Sequence, residues 1–283
     1  MTQYQHIQEI NTGKGAEGTL LIPRKIFDTL YPEYEKANLP RELCAINIGP
    51  EGCPGSSVDI DLETVNAMTV RQIGEGAEVW LEDPLYTSIN VKPRKYGARV
   101  NITKEMVEDS KFPLLSRAIE LLGKRFAENE TSLMITQLDS AANTVAGGTA
   151  ITIANVTRAM QYLEDSDATP TDFACGMEVV NDIRNIDTFV EADKTAMASM
   201  AITGSFLGTI YGMRVWRVST NAGMTTTSSY VFDRKHALAC VEKRPVTSEN
   251  YNIETHDTSG VAVTQRIAFL NIRTTAVAKI TTS

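Results

Sequence analysis

The sequence is poor in the residues that catalytic and metal sites use. It has three histidines in 283 residues and four scattered cysteines, Cys44, Cys53, Cys175 and Cys240. Zinc sites favour close pairs such as Cys-x-x-Cys, and the sequence has none, so we expect free thiols in a reducing compartment. His6, His236 and His256 have no carboxylates at metal spacing and are expected on the surface or satisfied in the core. Gly-x-Ser-x-Gly, His-Glu-x-x-His and Ser-x-x-Lys motifs are missing too. The sequence therefore predicts no catalytic residue, no metal ligand and no cofactor.

Long apolar runs and an excess of cations are also missing. No window approaches the roughly 18 consecutive apolar residues of a membrane span, and the polar start "MTQYQHIQEINTGKG" does not resemble a secretory signal. Acidic residues number 35 against 27 basic ones, for a net charge of −8. Neutralising phosphates needs an excess of Lys and Arg, so this balance disfavours a general DNA-binding surface. We expect no membrane contact.

Two glycine-rich stretches disfavour nucleotide binding. "TGKGAEGT" lacks the register of a phosphate-binding loop and follows no strand. "GSFLGTIYG" does not fit Gly-x-Gly-x-x-Gly and leads into a strand rather than a helix.

The patterns that are present predict an α+β fold with a real core, since 42% of the residues are apolar. Thr103 is a good N-cap, Pro113 ends a short first helix, and an apolar stripe predicts a long helix over about 114–138. A second amphipathic helix begins after Thr152. "DFACG" reads as a short buried strand, "MEVVNDIRNI" as a helix, and residues 229–283 as strand after strand.

A long hairpin precedes the first helix. Val70 and Ile73 lead into the tip "GEGAEVWLEDP", and "LYTSINVKPRKYGARVNI" returns with period-two alternation. Pro93 lacks a ladder donor, which predicts an edge or bulged strand. A two-stranded ribbon is marginal in water, so its tip packs either on a neighbouring molecule or back on its own sheet. The residues alone leave both alternatives open.

The order of these parts resembles the tailed-phage major capsid proteins of the Hong Kong 97 (HK97-like) type, over about residues 20–283. "INVKPRKYGARVNITKEMVEDS" is similar to the family's returning E-loop strand and the helix after it, and "LLSRAIELLGKRFAENETSLM" is similar to its spine helix. "TGSFLGTIYGMRVWRVSTN" is similar to a turn and strand of its axial domain, with Gly208, Ile210, Gly212 and Val215 on the family pattern.

The resemblance implies an HK97-like fold with an N-arm at 1–50, an E-loop at 51–100, a peripheral domain at 101–145 and 230–283, and an axial domain at 146–229. It implies a structural protein that self-assembles through pentamers and hexamers into an icosahedral shell around double-stranded viral DNA, held non-specifically. Scaffolding, portal and decoration proteins are implied partners. Assembly in the host cytoplasm and residence in the virion follow from the same resemblance.

The sequence departs from some members of this family in two features, and two other functions are alternatives to a phage capsid. Residues 74–88 contain no Lys, so the covalent E-loop cross-link of some relatives is not expected. Some relatives begin with a scaffolding segment that the residues before about residue 20 are too few to hold, so we expect scaffolding to be separate or absent. An encapsulin-type compartment would share the fold and hold protein cargo, and a cytosolic α+β enzyme would form only a small oligomer.

Charge along the hairpin provides the candidate contact residues between subunits. The tip carries Trp80 among acids and the return strand carries bases; the candidates are Glu75, Glu78, Trp80, Glu82, Asp83, Lys92, Arg94, Lys95 and Arg99. Opposite charges at the two ends of a ribbon suit one that lies on copies of the same protein. An exposed pair contributes only about 0–1 kcal/mol, so such pairs would set register while apolar burial supplies the affinity.

Reversal of the basic strand tests this hypothesis. We expect a Lys92→Glu, Arg94→Glu, Lys95→Glu variant to assemble poorly while its circular dichroism spectrum stays unchanged, because the charges are surface groups. Electron microscopy measures the assembly, and normal shells from the variant would remove the electrostatic account.

Overall fold

The structure, a computed structural model, describes residues 30, 40–63, 69–81, 86–109, 114–186, 206–253 and 258–282. The described helices, in chain order, are α1 (Pro40–Leu43), α2 (Lys104–Asp109), α3 (Leu114–Leu138), α4 (Ile153–Glu164) and α5 (Met177–Arg184). The strands up to the middle of the chain are β1 (Ile46–Ile48), β2 (Val58–Glu63), β3 (Tyr86–Val91), β4 (Arg94–Thr103), β5 (Asn143–Gly148) and β6 (Asp172–Cys175). The later ones are β7 (Phe206–Ile210), β8 (Met213–Arg217), β9 (Ser228–Phe232), β10 (Leu238–Ile253), β11 (Thr258–Asn271) and β12 (Val277–Thr282).

The strands form three sheets. A four-stranded sheet has the order β1-β10-β11-β4, a six-stranded sheet has the order β5-β12-β9-β6-β8-β7, and β2 pairs with β3 alone. The α+β class is confirmed, as are the long helix at Leu114–Leu138 and the succession of strands near the end of the chain. Thr103 caps α2 as predicted, because its Oγ1 accepts from Met106 N at 3.2 Å. Thr152 caps α4 in the same way.

The hairpin differs from the sequence expectation in its outgoing strand. Ile60 and its neighbours in β2, not the segment around Val70 and Ile73, pair antiparallel with β3, in the register Val58↔Val91 to Glu63↔Tyr86. Val70 and Ile73 lie in an irregular segment because their spacing provides no period-two face for a partner strand to cover.

Pro93 separates the ribbon from the sheet. β3 ends just before it, and β4 begins just after it as the edge strand of the four-stranded sheet, in agreement with the edge prediction. A second difference is that a strand for which the sequence analysis made no prediction, β5 (Asn143–Gly148), follows the long helix and pairs in parallel with β12.

Helix α3 packs across both larger sheets. Its first half, through Ile119, Leu122 and Phe126, joins Val261 and Val263 of β11 in one apolar cluster. Its second half, through Met134, Ile135 and Leu138, belongs to the largest cluster, which extends into the six-stranded sheet. The helix therefore holds the two sheets in one body.

A buried polar seam divides these two clusters. Glu130 and Thr131 of α3 and Gln265 of β11 lie between the apolar groups and are buried. Arg41 donates to Glu130 from Nε at 3.3 Å and from Nη2 at 3.2 Å, and to Glu242 of β10 at 3.0 and 2.8 Å. One guanidinium thus ties α1 to both α3 and β10.

The far end of α3 is fixed to the six-stranded sheet by a charged contact. Asp139 accepts from Tyr230 Oη at 2.6 Å and from Lys279 Nζ at 2.7 Å. Burial alone would raise the pKa of Asp139, but the hydrogen bonds from Lys279 and Tyr230 outweigh it and the pKa is lowered.

A tight backbone approach joins β11 to its neighbours at Gly260. A Cβ added there would meet Val100 O at 2.3 Å and Tyr251 Oη at 2.7 Å. Both contacts are far inside van der Waals range, so any side chain would force the strands apart.

We expect Gly260→Ala to lower the free energy of unfolding by about 1–3 kcal/mol, the usual cost of overpacking. Urea unfolding of the unassembled protein, followed by far-ultraviolet circular dichroism, measures it. Gly74→Ala is the matched control, since a Cβ at Gly74 meets nothing within 4 Å. Equal stability of the two variants would show that the strands at Gly260 can separate without cost.

Candidate self-association surface

The segment at residues 69–81, here called the tip segment, exposes a run of large apolar side chains. Val79 is 74% exposed, Trp80 66% and Leu81 90%. Soluble monomers expose single apolar residues routinely, but three consecutive ones with an indole among them are typical of a contact surface. The structure thus leaves the tip segment uncovered by the described part of its own chain.

A glycine-dependent turn shapes the start of the tip segment. Ala77 N donates to Gly74 O at 3.1 Å, and Gly76 adopts a φ of 79°, which an L-residue rarely adopts. This turn places Glu75 at its apex, with Glu78 shortly after it; both are exposed and neither has an ion pair among the described residues.

Arg71 restrains the indole that follows. Its guanidinium carbon lies 5.4 Å from the centre of the Trp80 ring. An exposed cation–π contact contributes about 0.5–1 kcal/mol, enough to bias the orientation of the ring. Trp80 is therefore held in place rather than folded into the core.

The base of the ribbon is anchored on the four-stranded sheet. Ile60 of β2 and Val91 of β3 are buried against Ala239 and Val241 of β10, together with Cys53. A ribbon of two strands gains its stability from such burial. The anchoring supports the base and leaves the tip segment to other contacts.

The structure separates the predicted basic residues. Lys95 and Arg99 pair with Arg266 and Ala262 of β11, so they share the sheet face that points away from α3. Arg94 pairs with Ile267, on the face towards α3. Lys92 is exposed and immediately precedes Pro93, the residue between β3 and β4. The candidates Glu82 and Asp83 lie outside the described residues.

Two further cations extend this face, and the sequence analysis missed both. Lys95 pairs with Arg266, and Arg266 pairs with Arg244 of β10, so three cations lie side by side across three strands. Directly paired residues project to the same face. The sequence shows the arginines in "EKRPV" and "TQRIAF", but only the strand register brings them together, and β-bulges flank Arg244. We call Lys95, Arg266 and Arg244 the cation row.

The described residues contain one histidine–carboxylate contact, which the sequence analysis did not foresee. His236 Nδ1 lies 2.6 Å from Asp233 Oδ2. No group of three or more His, Cys, Asp or Glu side chains suited to a metal occurs within the described ranges. His6 and His256 lie outside those ranges.

All four cysteines are free and buried. Burial, reinforced by Glu130 and Glu242 and opposed by Arg41, raises the pKa of Cys240 to about 12. The Cys240 thiol therefore stays protonated near neutral pH, whereas nucleophilic chemistry needs the thiolate. Among the helices of the described residues, none is long and apolar enough to cross a membrane.

Comparison with known sequences gives one family. A family model described as "Phage capsid protein" matches residues 86–280. These residues run from β3 into β12 and include the long helix α3 and both larger sheets. No curated protein matches the chain.

Comparison with solved structures gives the same fold in several particles. A structure from Microbacterium phage Oxtober96 shares 16% identity, covering 87% of this chain and 91% of its own, with a TM-score of 0.65. The mature capsid of bacteriophage PhiM1 shares 11% identity, covering 84% of this chain and 84% of its own, with a TM-score of 0.64. A virus-like particle from Pyrococcus furiosus shares 13% identity, covering 91% of this chain and 98% of its own, with a TM-score of 0.60. At identities this low, the structural likeness shows a shared fold and nothing more.

Substitution of the exposed apolar side chains in the tip segment tests whether they contribute to self-association. We expect Trp80→Ser with Leu81→Ser to weaken self-association about tenfold or more, since burying one such side chain contributes about 1.5–3 kcal/mol. Folding should be unaffected because both side chains are exposed. Analytical ultracentrifugation across a concentration series measures the change.

Met177→Gln is the matched control, since Met177 is a large apolar residue that is 43% exposed on a different element, α5. Equal loss of association in the control and in the tip variant would contradict a specific role for the tip segment.

Proposed function

The chain belongs to the phage capsid protein family, and we propose that it is the major head protein whose copies close into an icosahedral shell around packaged double-stranded DNA. It is a structural shell protein with the HK97-like fold. The proposal adds the mode of assembly, through pentamers and hexamers, and the nature of the contents.

One observation carries the mode of assembly: an anchored ribbon ends in an uncovered apolar segment. Ile60 and Val91 hold its base, while Trp80 and Leu81 remain exposed at its tip. A chain that functioned alone would gain nothing from this exposure. A copy that receives the tip segment of its neighbour buries the indole and both flanking apolar groups. Self-association therefore completes a surface that the single chain leaves open.

The division of the chain remains part of the proposal. Residues 1–50 act as the N-arm, 51–100 as the E-loop, 101–145 with 230–283 as the peripheral domain, and 146–229 as the axial domain. The N-arm ends in α1 and β1, which attach to the core through Leu43 and through pairing of β1 with β10. Residues 94–100 lie in the same sheet as β10 and β11, so the E-loop is rooted directly in the peripheral domain.

The charge balance supports a container for DNA. A net charge of −8 on each copy makes the shell mildly repulsive towards a polyanion. A wall that gripped phosphates tightly would oppose packaging and release. Contact with the DNA is thus non-specific, while portal, scaffolding and decoration proteins are the other partners we propose. Assembly takes place in the host cytoplasm.

The runner-up is a compartment for protein cargo. The likeness to the Pyrococcus furiosus virus-like particle favours it, because the HK97-like fold is not restricted to particles named as phage heads. A cytosolic enzyme is the remaining alternative.

Two measurements on the purified protein distinguish these functions. We expect light scattering to show particles of megadalton mass, because a closed shell needs many copies of a 31.0 kDa chain. We expect particles from phage-producing cells to retain DNA after nuclease treatment, since an intact wall excludes the enzyme.

The other outcomes point elsewhere. Nuclease-resistant particles that hold protein and no DNA support the cargo compartment. A small oligomer at all concentrations and salt levels contradicts the shell.

A further inference from the structure

We propose that the cation row, Lys95, Arg266 and Arg244, is the receptor on one copy for the carboxylates Glu75 and Glu78 of another copy's tip segment. This inference rests on the proposed shell and names the surface that receives the tip. It joins two features that lie far apart in the sequence and whose charges have no ion-pair partner among the described residues.

The first argument is the cost of the row. Adjacent strands lie about 4.8 Å apart, so three cations share a line of about 10 Å. Like charges directly opposite one another on a sheet destabilise it. Among the described residues no carboxylate forms an ion pair with Lys95, Arg266 or Arg244. A binding site for an anion gives this arrangement a use.

The second argument is that the row still has donors to offer. Arg266 Nη2 donates to Pro93 O at 3.4 Å, and Arg244 Nη2 donates to Thr264 Oγ1 at 3.0 Å, both neutral acceptors. Arg244 Nε is buried, so it is closed to an incoming carboxylate and only the terminal nitrogens of Arg244 can serve one. A guanidinium has five N–H donors, so both arginines keep several for a carboxylate. Arg–carboxylate contacts are the strong, directional type of ion pair.

The third argument selects the occupant. The tip segment presents Glu75 and Glu78 exposed, without an ion pair, beside apolar side chains that need cover. It contains one cation, Arg71, which stacks on Trp80. Nucleic acid is the other polyanion that a basic row could bind, but the net charge of −8 disfavours its approach. The complementary tip is present in every copy.

The row and the tip segment are separate surfaces of one copy, and among the described residues no hydrogen bond or ion pair joins them. The row lies on the outer face of the four-stranded sheet, next to the Ala268 and Leu270 positions that pack with the base of the ribbon. The tip segment leaves that same sheet on a ribbon anchored there. One copy therefore offers a tip to one neighbour and a row to another.

A charge swap within the chain tests the pairing. We expect Glu75→Lys with Glu78→Lys, and separately Lys95→Glu with Arg266→Glu, each to raise the critical concentration for assembly at least tenfold. The chain that carries all four changes should recover most of the wild-type value, because the reversed tip again meets opposite charges at positions 95 and 266, and only Arg244 keeps its original sign. Light scattering during assembly, with negative-stain microscopy, measures each variant.

Folding and salt provide the controls. Lys95→Glu alone alters an exposed residue, so its circular dichroism melting curve should match wild type while assembly weakens. Glu120→Lys, an exposed acid on α3, is the matched charge reversal away from the tip. Salt should weaken wild-type assembly as the Debye length falls from about 10 Å near 0.1 M to about 3 Å near 1 M.

The outcomes separate this inference from the proposed function. If wild-type particles form and the row variants assemble equally well, the row is not the receptor and the shell stands. If the chain with all four changes fails to recover assembly while each pair of changes abolishes it, the tip carboxylates and the cation row do not meet. If the unassembled protein binds a fluorescent DNA duplex through Arg266 and tip reversal leaves assembly intact, the row is a phosphate site. If wild type forms no particles, the proposed function itself fails.

Discussion

Strand β11 packs its inner face against helix α3 and gives its outer face to the ribbon base and the cation row. Val263 and Ile267 point inwards, whereas Arg266 and Ala268 point outwards, as the period of two requires. A slip of one residue would drive Arg266 into the core and expose the apolar set. The buried face therefore fixes the register, and the register in turn aligns the three cations. The proposed assembly contact on the outer face of the sheet therefore depends on packing on its inner face.

The polar seam makes this packing more specific at a cost in stability. Glu130 is fully buried and satisfied by Arg41, but the amide of Gln265 finds no hydrogen-bond partner. An unsatisfied buried polar group costs about 1–3 kcal/mol, which the apolar clusters on either side offset. The Glu130 carboxylate accepts from the Arg41 guanidinium, so the seam helps to set the position of α1 along α3. The segment that leads to β1 is thereby held beside β10.

Local patterns predicted the elements that local forces decide. The N-cap at Thr103, the long helix and the short strand "DFACG" depend on neighbours a few residues away, and the structure has each of them. The cation row depends on pairings between strands about 20 and 170 residues apart, including a bulge at Arg244 that no periodicity reveals. Buried charge follows the same rule. Asp172 lies in the predicted strand, yet its contacts with Trp216 at 2.8 Å and Arg234 at 2.9 Å join distant segments. Composition was enough to identify the tip, whereas the proposed receptor could be found only from the strand register.

Geometry also restricts what the tip and row can build. They are different surfaces of one chain, so a contact between them is heterologous, with each copy acting once as donor and once as receiver. Contacts of this kind generate rings when the rotation closes and filaments when it does not, whereas a two-fold dimer needs one surface to meet itself. A single exposed ion pair contributes about 0–1 kcal/mol, far below the cost of immobilising a subunit. In the proposed contact, burial of Trp80 and Leu81 must therefore supply the affinity. The charges select the relative orientation of the two subunits. In a ring every subunit makes both contacts, and closure of the ring adds the contact that an open chain of the same length lacks.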